Sequence, residues 1–273
     1  MSGTLAPIDT GVYAWLADHP SHGNPNAGVV IGSDGVTVID SCTVPSQSIP
    51  LAAELAALTD LPIRRLLYTG SHLDQVGGSL AFPLAAVYGS AQTSDHLDQP
   101  ANPDTWSRLH PGHASELSEL VTRAVSHTVD EAAYLCPACI AVPTGGYQFE
   151  NLVVQVPGSS VLFAGAMASF GVVPLGFDAD FPAWIEALEA LGQMGELFVP
   201  GHGHVGGTEE LGLLRQYLNA CVDAAGDPSR IPAGAWDSWA DSHFTPINVE
   251  RAAMLAAGDP SPPPSLLGLL GLY

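Results

Sequence analysis

Two short stretches of the chain place histidine and aspartate where side chains can converge. In LLYTGSHLDQVGG, His72 and Asp74 follow an apolar run and lie in a glycine-flanked turn. In FVPGHGHVGG, His202 and His204 follow a second apolar run. Binding and catalytic residues concentrate in loops at the ends of strands. The first stretch looks like a metal-binding turn from which some ligands are missing.

Apolar patterning predicts the elements that deliver these residues. Strands are predicted over 11–18, 63–70 and 85–90, a hairpin over 27–41 and a helix over 46–60. In the second half, GYQFENLVVQVPG, SSVLFAGAMAS and ELFVPGHG predict strands, and FPAWIEALEALGQMG and TEELGLLRQYLNACVDAAGD predict helices. Each half therefore has strands, a histidine-bearing turn and a helix, which predicts two stacked sheets with the histidine loops at one edge.

Two segments differ in composition from the rest. Residues 95–115 are polar and rich in proline and glycine, which predicts a loop or lid, followed by a helix over about 114–124. Residues 259–273 are a proline spacer and an apolar tail. We expect one domain over 1–258, with the tail docking on that domain or joining two copies as a homo-oligomer.

Composition excludes several classes of function. The 273 residues carry 28 acidic and 7 basic side chains, for a net charge of −21, and the basic residues are all arginine. Without lysine there is no Schiff-base or P-loop chemistry, and the negative charge argues against nucleic acid or an anionic membrane as partner. The chain lacks a leader pattern and a long apolar run, so we expect a cytoplasmic protein that acts on a small molecule.

The order of the motifs resembles the metallo-β-lactamase superfamily. TGSHLDQVGG aligns without a gap to the family motif T-H-x-H-x-D-H-x-x-G, FVPGHG matches its last histidine motif, and VIDS with Asp40 resembles an element near its site. The resemblance implies an α/β fold, a four-layer αββα sandwich of two mixed sheets with outer helices. It also implies hydrolysis of an ester, thioester, lactone or amide.

The ligand positions are where this chain departs from the family. Gly70 and Gln75 stand at the outer histidine positions of the motif, Ala166 stands at the bridging aspartate, and Tyr147 falls near the mid-chain histidine. His72, Asp74 and His202 survive. One hypothesis is therefore that a single zinc or iron ion collects these three residues, with Gln75 as a further weak donor.

The alternative is a site with no metal. Asp74 beside His72 would fix the tautomer of the imidazole and raise its basicity, which makes His72 a general base. Tyr147 would donate to a developing oxyanion, and Gln75 and His204 would contact the substrate. Such a set suits a cyclase, lyase or isomerase of a secondary-metabolite pathway. A third hypothesis is a non-catalytic binding or scaffold protein that retains the fold.

The remaining candidate residues are assigned ordinary structural roles. Cys136 and Cys139 form a lone C-x-x-C, which cannot close a tetrahedral zinc site by itself, so we expect two packed thiols. Most other histidines are expected to be surface or core residues by default; they are His19, His22, His110, His113, His127 and His243. His96 lies near the possible lid, from which it could reach a pocket, but a structural role is favoured for it as well.

Overall fold

Two mixed β-sheets form the centre of the protein, and helices cover both outer faces. This computed structural model describes residues 3–99 and 103–272. The predicted four-layer αββα sandwich is confirmed.

The first sheet has seven strands in sequence order, antiparallel from β1 to β4 and parallel from β4 to β7. Its strands are β1 Gly3–Asp9, β2 Val12–Ala17, β3 Ala27–Gly32, β4 Gly35–Ile39, β5 Ile63–Leu67, β6 Ala86–Gly89 and β7 His127–Thr128. The β3–β4 hairpin was predicted, and β5 is an inner strand because it pairs with β4 and β6.

The second sheet has five strands in the order β12-β11-β10-β9-β8. Its strands are β8 Ala133–Cys136, β9 Cys139–Thr144, β10 Asn151–Gln155, β11 Val161–Phe170 and β12 Leu197–Gly203. The pairing of β11 with β12 is parallel, and the other pairings are antiparallel. Cys136 and Cys139 face each other across the β8–β9 hairpin as buried, free thiols.

Nine α-helices lie outside the sheets in the described part of the chain. They are α1 Pro45–Leu58, α2 Leu73–Val76, α3 Ala91–Leu97, α4 Pro103–Leu109, α5 Ala114–Leu117, α6 Phe181–Leu191, α7 Thr208–Asp223, α8 Thr245–Ala256 and α9 Pro264–Leu269. Over residues 3–99 and 103–272, none of them combines the length and the apolar composition needed to cross a bilayer.

Three apolar cores hold the four layers together. Side chains such as Ile39 and Phe163 fill the space between the sheets. Leu51 and Leu55 of α1 pack on the first sheet, and Trp184 of α6 and Leu214 of α7 pack on the second. Burial of this apolar surface is the main stabilising term, and it leaves the ends of β5 and β12 at one shared edge.

The segment predicted as a loop or lid over 95–115 is largely helical. It contains the end of α3, all of α4 and the start of α5, while residues 100–102 lie outside the described part. Pro103 begins α4, where a missing N–H costs nothing, and Asp104 and Arg108 lie at the ends that the helix dipole favours. The helix predicted over about 114–124 ends at Leu117.

The apolar tail packs on its own chain. Leu266 and Leu270 of the α9 region are buried in the core that α6 and α7 share with the second sheet. Ser265 bonds Glu250 of α8 through its N–H and its hydroxyl, at 2.7 and 2.6 Å. Tyr273 of the predicted tail lies outside the described residues. Leu269 and Leu272 stay exposed, and association of two copies through the tail stays a prediction.

Candidate functional site

Asp74 and His202 meet at the edge where β5 and β12 end. Asp74 lies in α2, directly after the turn that follows β5. His202 is the second-to-last residue of strand β12. Asp74 Oδ2 is 3.4 Å from His202 Nε2, and both side chains are buried. Two loops that are distant in sequence thus place one imidazole and one carboxylate at a common point.

The third residue at this point is His22, which the sequence analysis assigned to an ordinary structural role. The ligand atoms of His22, Asp74 and His202 all lie within 4.8 Å of one another. Among the described residues, the buried Nδ1 and Nε2 of His22 and Oδ1 of Asp74 have no hydrogen-bond partner. Buried polar atoms without a partner are costly, so this cluster, which we call the triad, is a site prepared for a ligand.

Asn26 positions the loop that carries His22. Its Nδ2 donates to the carbonyl oxygens of Pro200 and Gly203 at 3.0 and 2.8 Å, and its N–H donates to Gly201 O at 2.7 Å. The loop between β2 and β3 is thereby fixed against β12. His22 then lies beside His202, and the His202 Nε2 to His22 O distance is 3.1 Å.

A second anchor comes from Asp241. His22 N–H donates to Asp241 Oδ2 at 2.6 Å. Asp241 itself has a φ of +57°, a left-handed conformation that is uncommon outside glycine, asparagine and aspartate. Backbone strain of this kind collects at functional sites, and here it holds one wall of a cavity of about 190 Å³ that reaches His22.

Burial keeps the triad histidines in the form that binds metals. Burial lowers the pKa of His22 well below its usual value, and the neighbouring His202 lowers it further. Burial also lowers the pKa of His202, although the Asp74 carboxylate opposes this. His22 stacks between the rings of His110 and His202, with centroids 5.3 and 4.9 Å away. Neutral imidazole is the state that a metal ion requires.

His72 is held away from the triad. Its Nε2 is 2.9 Å from Asp178 Oδ2, its Nδ1 is 3.2 Å from the Tyr147 hydroxyl, and its ring stacks on Phe177. Burial alone would lower the pKa of His72, but the charge and hydrogen bond of Asp178 outweigh burial and raise it. The carboxylate partner of His72 in the structure is therefore Asp178, and Asp74 pairs with His202 instead.

The other predicted site residues occupy distinct places. Gln75 donates its amide hydrogen to Asp74 Oδ2 and so fixes that carboxylate, while among the described residues its buried Oε1 has no partner. Tyr147 is buried, and its hydroxyl donates to Leu175 O at 3.3 Å. His204 is largely exposed and faces Glu210 at 4.0 Å. The structure thus brings Gln75 to the triad and directs His204 away from it.

A buried carboxyl group fixes the turn after β5. Asp40 Oδ1 and Oδ2 accept from the N–H and the hydroxyl of Thr69, both at 2.7 Å, and Ala166 N–H donates to Thr69 Oγ1 at 2.9 Å. Burial raises the pKa of Asp40 to about 8, against the effect of its bonds to Thr69. The VIDS element therefore supports the site from below, as the motif order implied.

A second, larger cavity lies on the other side of Trp106. The Trp106 ring centroid is 6.2 Å from that of His110 and 6.4 Å from that of His72. The cavity has a volume of about 500 Å³, and its lining includes Ser71, His72 and Asp178. The edge of the sandwich thus carries two neighbouring sites, with the triad at one and His72 at the other.

Comparison with known proteins identifies the family. A model of the metallo-beta-lactamase superfamily matches residues 21–213, more than half of the chain. The chain belongs to the metallo-β-lactamase superfamily. A metallo-beta-lactamase type 2 from Bacteroides fragilis is 32% identical over 93 residues, which cover 31% of this chain and 36% of that relative. The match to this superfamily member thus spans about a third of its length.

Solved structures share the fold over nearly their full length. FIM-1 metallo-β-lactamase from Pseudomonas aeruginosa, crystallised in a mono-zinc form, has a TM-score of 0.63 and 19% identity, covering 85% of this chain and 98% of that one. Metallo-β-lactamases from Pontibacter korlensis and Hirschia baltica have TM-scores of 0.62 and 0.60, with 19% and 20% identity. Each covers 80% of this chain, and this chain covers 99% and 98% of them. At these identities the likeness concerns the fold.

The donors of the triad fit a metal ion. A Cβ on Gly70 would overlap Gln148 Oε1 and lie 3.3 Å from Ala166 Cβ, so the Gln148 amide fills the space beside the first motif position. The triad offers two imidazoles and one carboxylate with unpaired buried atoms. That donor set suits one zinc or iron(II) ion with open positions.

Proposed function

We propose that the chain is a hydrolase that uses one metal ion held by His22, Asp74 and His202. The observation that carries the proposal is the convergence of three buried ligand atoms within 4.8 Å. Partnerless atoms on His22 and Asp74 support it further. This ligand set exchanges the predicted His72 for His22, which comes from a loop outside the family motif.

The substrate class follows from the family and remains a proposal for this chain. It is a small molecule with an ester, thioester, lactone or amide bond, met in the cytoplasm, where thiols such as the four free ones in this chain stay reduced. A bound zinc or iron(II) ion supplies a Lewis acid and a water molecule of lowered pKa. The low lysine content and alanine-rich composition suit an enzyme of secondary metabolism.

The chain's own residues prepare the site for this role. Gln75 orients the Asp74 carboxylate through its amide hydrogen. His202 Nε2 lies 3.1 Å from the His22 carbonyl oxygen, and the neutral imidazole would hold an ion through this nitrogen in the tautomer that carries its proton on Nδ1. The cavity of about 190 Å³ reaches His22 of the triad, and His110, His113 and His243 line it.

Elemental analysis with paired variants tests the proposal. Protein purified without chelator is expected to hold one ion per chain, and His202→Ala is expected to lose it. His204→Ala is the matched control, since it removes a histidine two positions away that is exposed and faces Glu210. It is expected to keep the ion.

Activity supplies the second readout. Hydrolysis of a panel of aryl esters, thioesters, lactones and amides is expected to stop in the chelated protein and to return with added zinc or iron(II). A wild-type protein without an ion, or a His202→Ala variant that keeps one, contradicts the proposal. A bound ion with no turnover of any panel member contradicts the hydrolase assignment and leaves a metal-binding protein.

A further inference from the structure

A serine hydroxyl and an imidazole meet in the larger cavity, apart from the triad. Ser71 Oγ is 2.7 Å from His96 Nδ1. Ser71 lies in the turn before α2, and His96 lies in the last turn of α3. Both residues line the cavity of about 500 Å³. A hydroxyl within hydrogen-bond distance of an imidazole is the arrangement that activates a nucleophile.

Gln148 also bonds the serine. Ser71 N–H donates to Gln148 Oε1 at 2.9 Å, which turns the amide nitrogen of Gln148 toward the serine hydroxyl. Gln148 Nε2 then donates to Ser71 Oγ at 2.8 Å. This bond occupies one lone pair of Oγ, and in the tautomer that leaves Nδ1 of His96 unprotonated, the hydroxyl hydrogen is donated to that nitrogen. In that tautomer the imidazole is placed as the base.

The place occupied by Gln148 exists because the motif lacks its first histidine. A Cβ on Gly70 would overlap Gln148 Oε1, so any side chain at position 70 would displace the amide from Ser71. Asn151 Oδ1 accepts from Gln148 N–H at 2.7 Å and holds the segment in place. The glycine that removes a metal ligand thus admits the group that orients the serine.

The cavity walls indicate the substrate class. Most of its remaining lining is apolar, and the side chains of Leu97, Trp106, Leu120, Val121 and Phe177 form the walls around the serine. Its volume of about 500 Å³ is within the range of small-molecule pockets, about 300–1,000 Å³. Such a pocket suits an ester with an apolar acyl group, since burial of that group supplies binding free energy.

We propose that Ser71 and His96 form a nucleophile and general base for metal-independent acyl transfer from such esters. Ser71 Oγ bonds to the acyl carbon while its proton passes to His96 Nδ1. The bond from the acyl carbon to the alcohol oxygen breaks, and the leaving alcohol takes that proton. Water then attacks the acyl-serine, gives a proton to His96, and releases the acid as the serine oxygen regains its proton. This activity is separate from the one proposed for the triad.

Covalent labelling tests the pair directly. The full chain, with chelator present throughout, is treated with an alkyl fluorophosphonate, and the modified residue is mapped by peptide mass spectrometry. One adduct on Ser71 is expected, and Ser71→Ala is expected to lose it. Thr122→Val, which removes another hydroxyl from the cavity lining, is the matched control and is expected to react at the wild-type rate.

The base is tested by rate. His96→Gln is expected to slow labelling about 100-fold, the usual contribution of a general base, with folding checked by circular dichroism. Folded wild-type protein that forms no Ser71 adduct overturns the proposal, as does an unchanged rate in His96→Gln. Since the chelator is present in every labelling reaction, these outcomes are independent of the metal site. The metal content of Ser71→Ala, purified without chelator, reports on the triad separately and is expected to equal that of wild type.

Discussion

The two sites at the sheet edge differ in how their polar atoms are satisfied. In the triad, His22 has two buried ring nitrogens without a partner among the described residues. Across Trp106, both ring nitrogens of His72 are bonded, and the Ser71 hydroxyl bonds both Gln148 and His96. Within the described part of the chain, the second side has an unpaired atom as well, Asp178 Oδ1, but its serine hydroxyl and imidazole already bond each other. Unpaired buried polar atoms need a ligand to complete them, whereas a hydroxyl bonded to an imidazole can transfer its proton directly.

We propose separate roles for the two sides, metal binding at the triad and proton transfer at Ser71. Gly70, at the first histidine position of the motif, leaves room for the Gln148 amide on one side. His22, from the β2–β3 loop, is the proposed third donor on the other side. Variants that disturb one side and spare the other therefore test the comparison.

The largest effect is expected from Asn26→Ala, which frees the loop that carries His22 of the triad. The variant loses three side-chain hydrogen bonds, to Pro200 O, Gly203 O and Ala17 N–H. Because it also leaves buried backbone groups unpaired, we expect a loss of about 3 kcal/mol in the free energy of unfolding, measured by urea denaturation.

The same variant separates the two sites. It is expected to lose its metal ion while Ser71 still reacts with the fluorophosphonate. Asn219→Ala is the control, since this exposed side chain bonds only its own helix at Arg215 O among the contacts described, and a surface change of this kind costs under about 0.5 kcal/mol. Equal stabilities for the two variants would show that Asn26 does not fix the loop.

Gly70→Ala is expected to disrupt the hydrogen bonds around Ser71 on the opposite side. The new methyl group would displace the Gln148 amide from Ser71, and misplacement of a catalytic group by about 1 Å costs on the order of 100-fold in rate. Labelling of Ser71 is expected to slow by about this factor, with the metal content unchanged. Gly212→Ala, which meets open space on α7, is expected to match wild type, and a Gly70→Ala protein that labels at full speed would refute the role of Gln148.

The smallest effect is expected from Asp40→Asn, and it concerns both sides. Asp40 has a folded pKa of about 8, against an ordinary value of 3.8, because of burial. A raised carboxyl pKa means that the folded state keeps a proton that the unfolded state releases. Its stabilising contribution is therefore complete below pH 3.8 and is lost as the pH rises through about 8.

Unfolding measurements between pH 6 and 8 check this sign. The wild-type free energy of unfolding is expected to fall with pH by about 1 kcal/mol per unit from this group. Asp40→Asn is expected to have a shallower slope, and asparagine suits the φ of +62° at this position and keeps an oxygen that can accept from Thr69 N–H. Parallel slopes in the two proteins would show that Asp40 is ionised in the folded state.

The sequence predicted the fold because its cores follow regular apolar patterns. The hairpin and the helices on each face follow from the apolar patterns. The approach of Asp74 to His202 follows from strands that end at the same edge. These features depend on periodicity and on motif order, and both can be read from a single chain.

The roles of His22 and Asp178 could not be predicted in the same way. His22 is placed by contacts of Asn26 with β12, about 175 positions along the chain, and Asp178 reaches His72 from an irregular segment. No periodicity marks either contact. The α4 helix was overlooked because proline and glycine dominate its neighbourhood, although Pro103, Asp104 and Arg108 are arranged as a helix requires.

Zinc titration of three proteins tests the central claim most directly. Chelated wild type, His22→Ala and His72→Ala are titrated with Zn²⁺ and followed by calorimetry. Wild type and His72→Ala are expected to bind one ion with similar affinity. His22→Ala is expected to bind at least about 100-fold more weakly, since loss of even an outer-shell partner costs 10- to 100-fold. Full affinity in His22→Ala together with loss in His72→Ala would contradict the account.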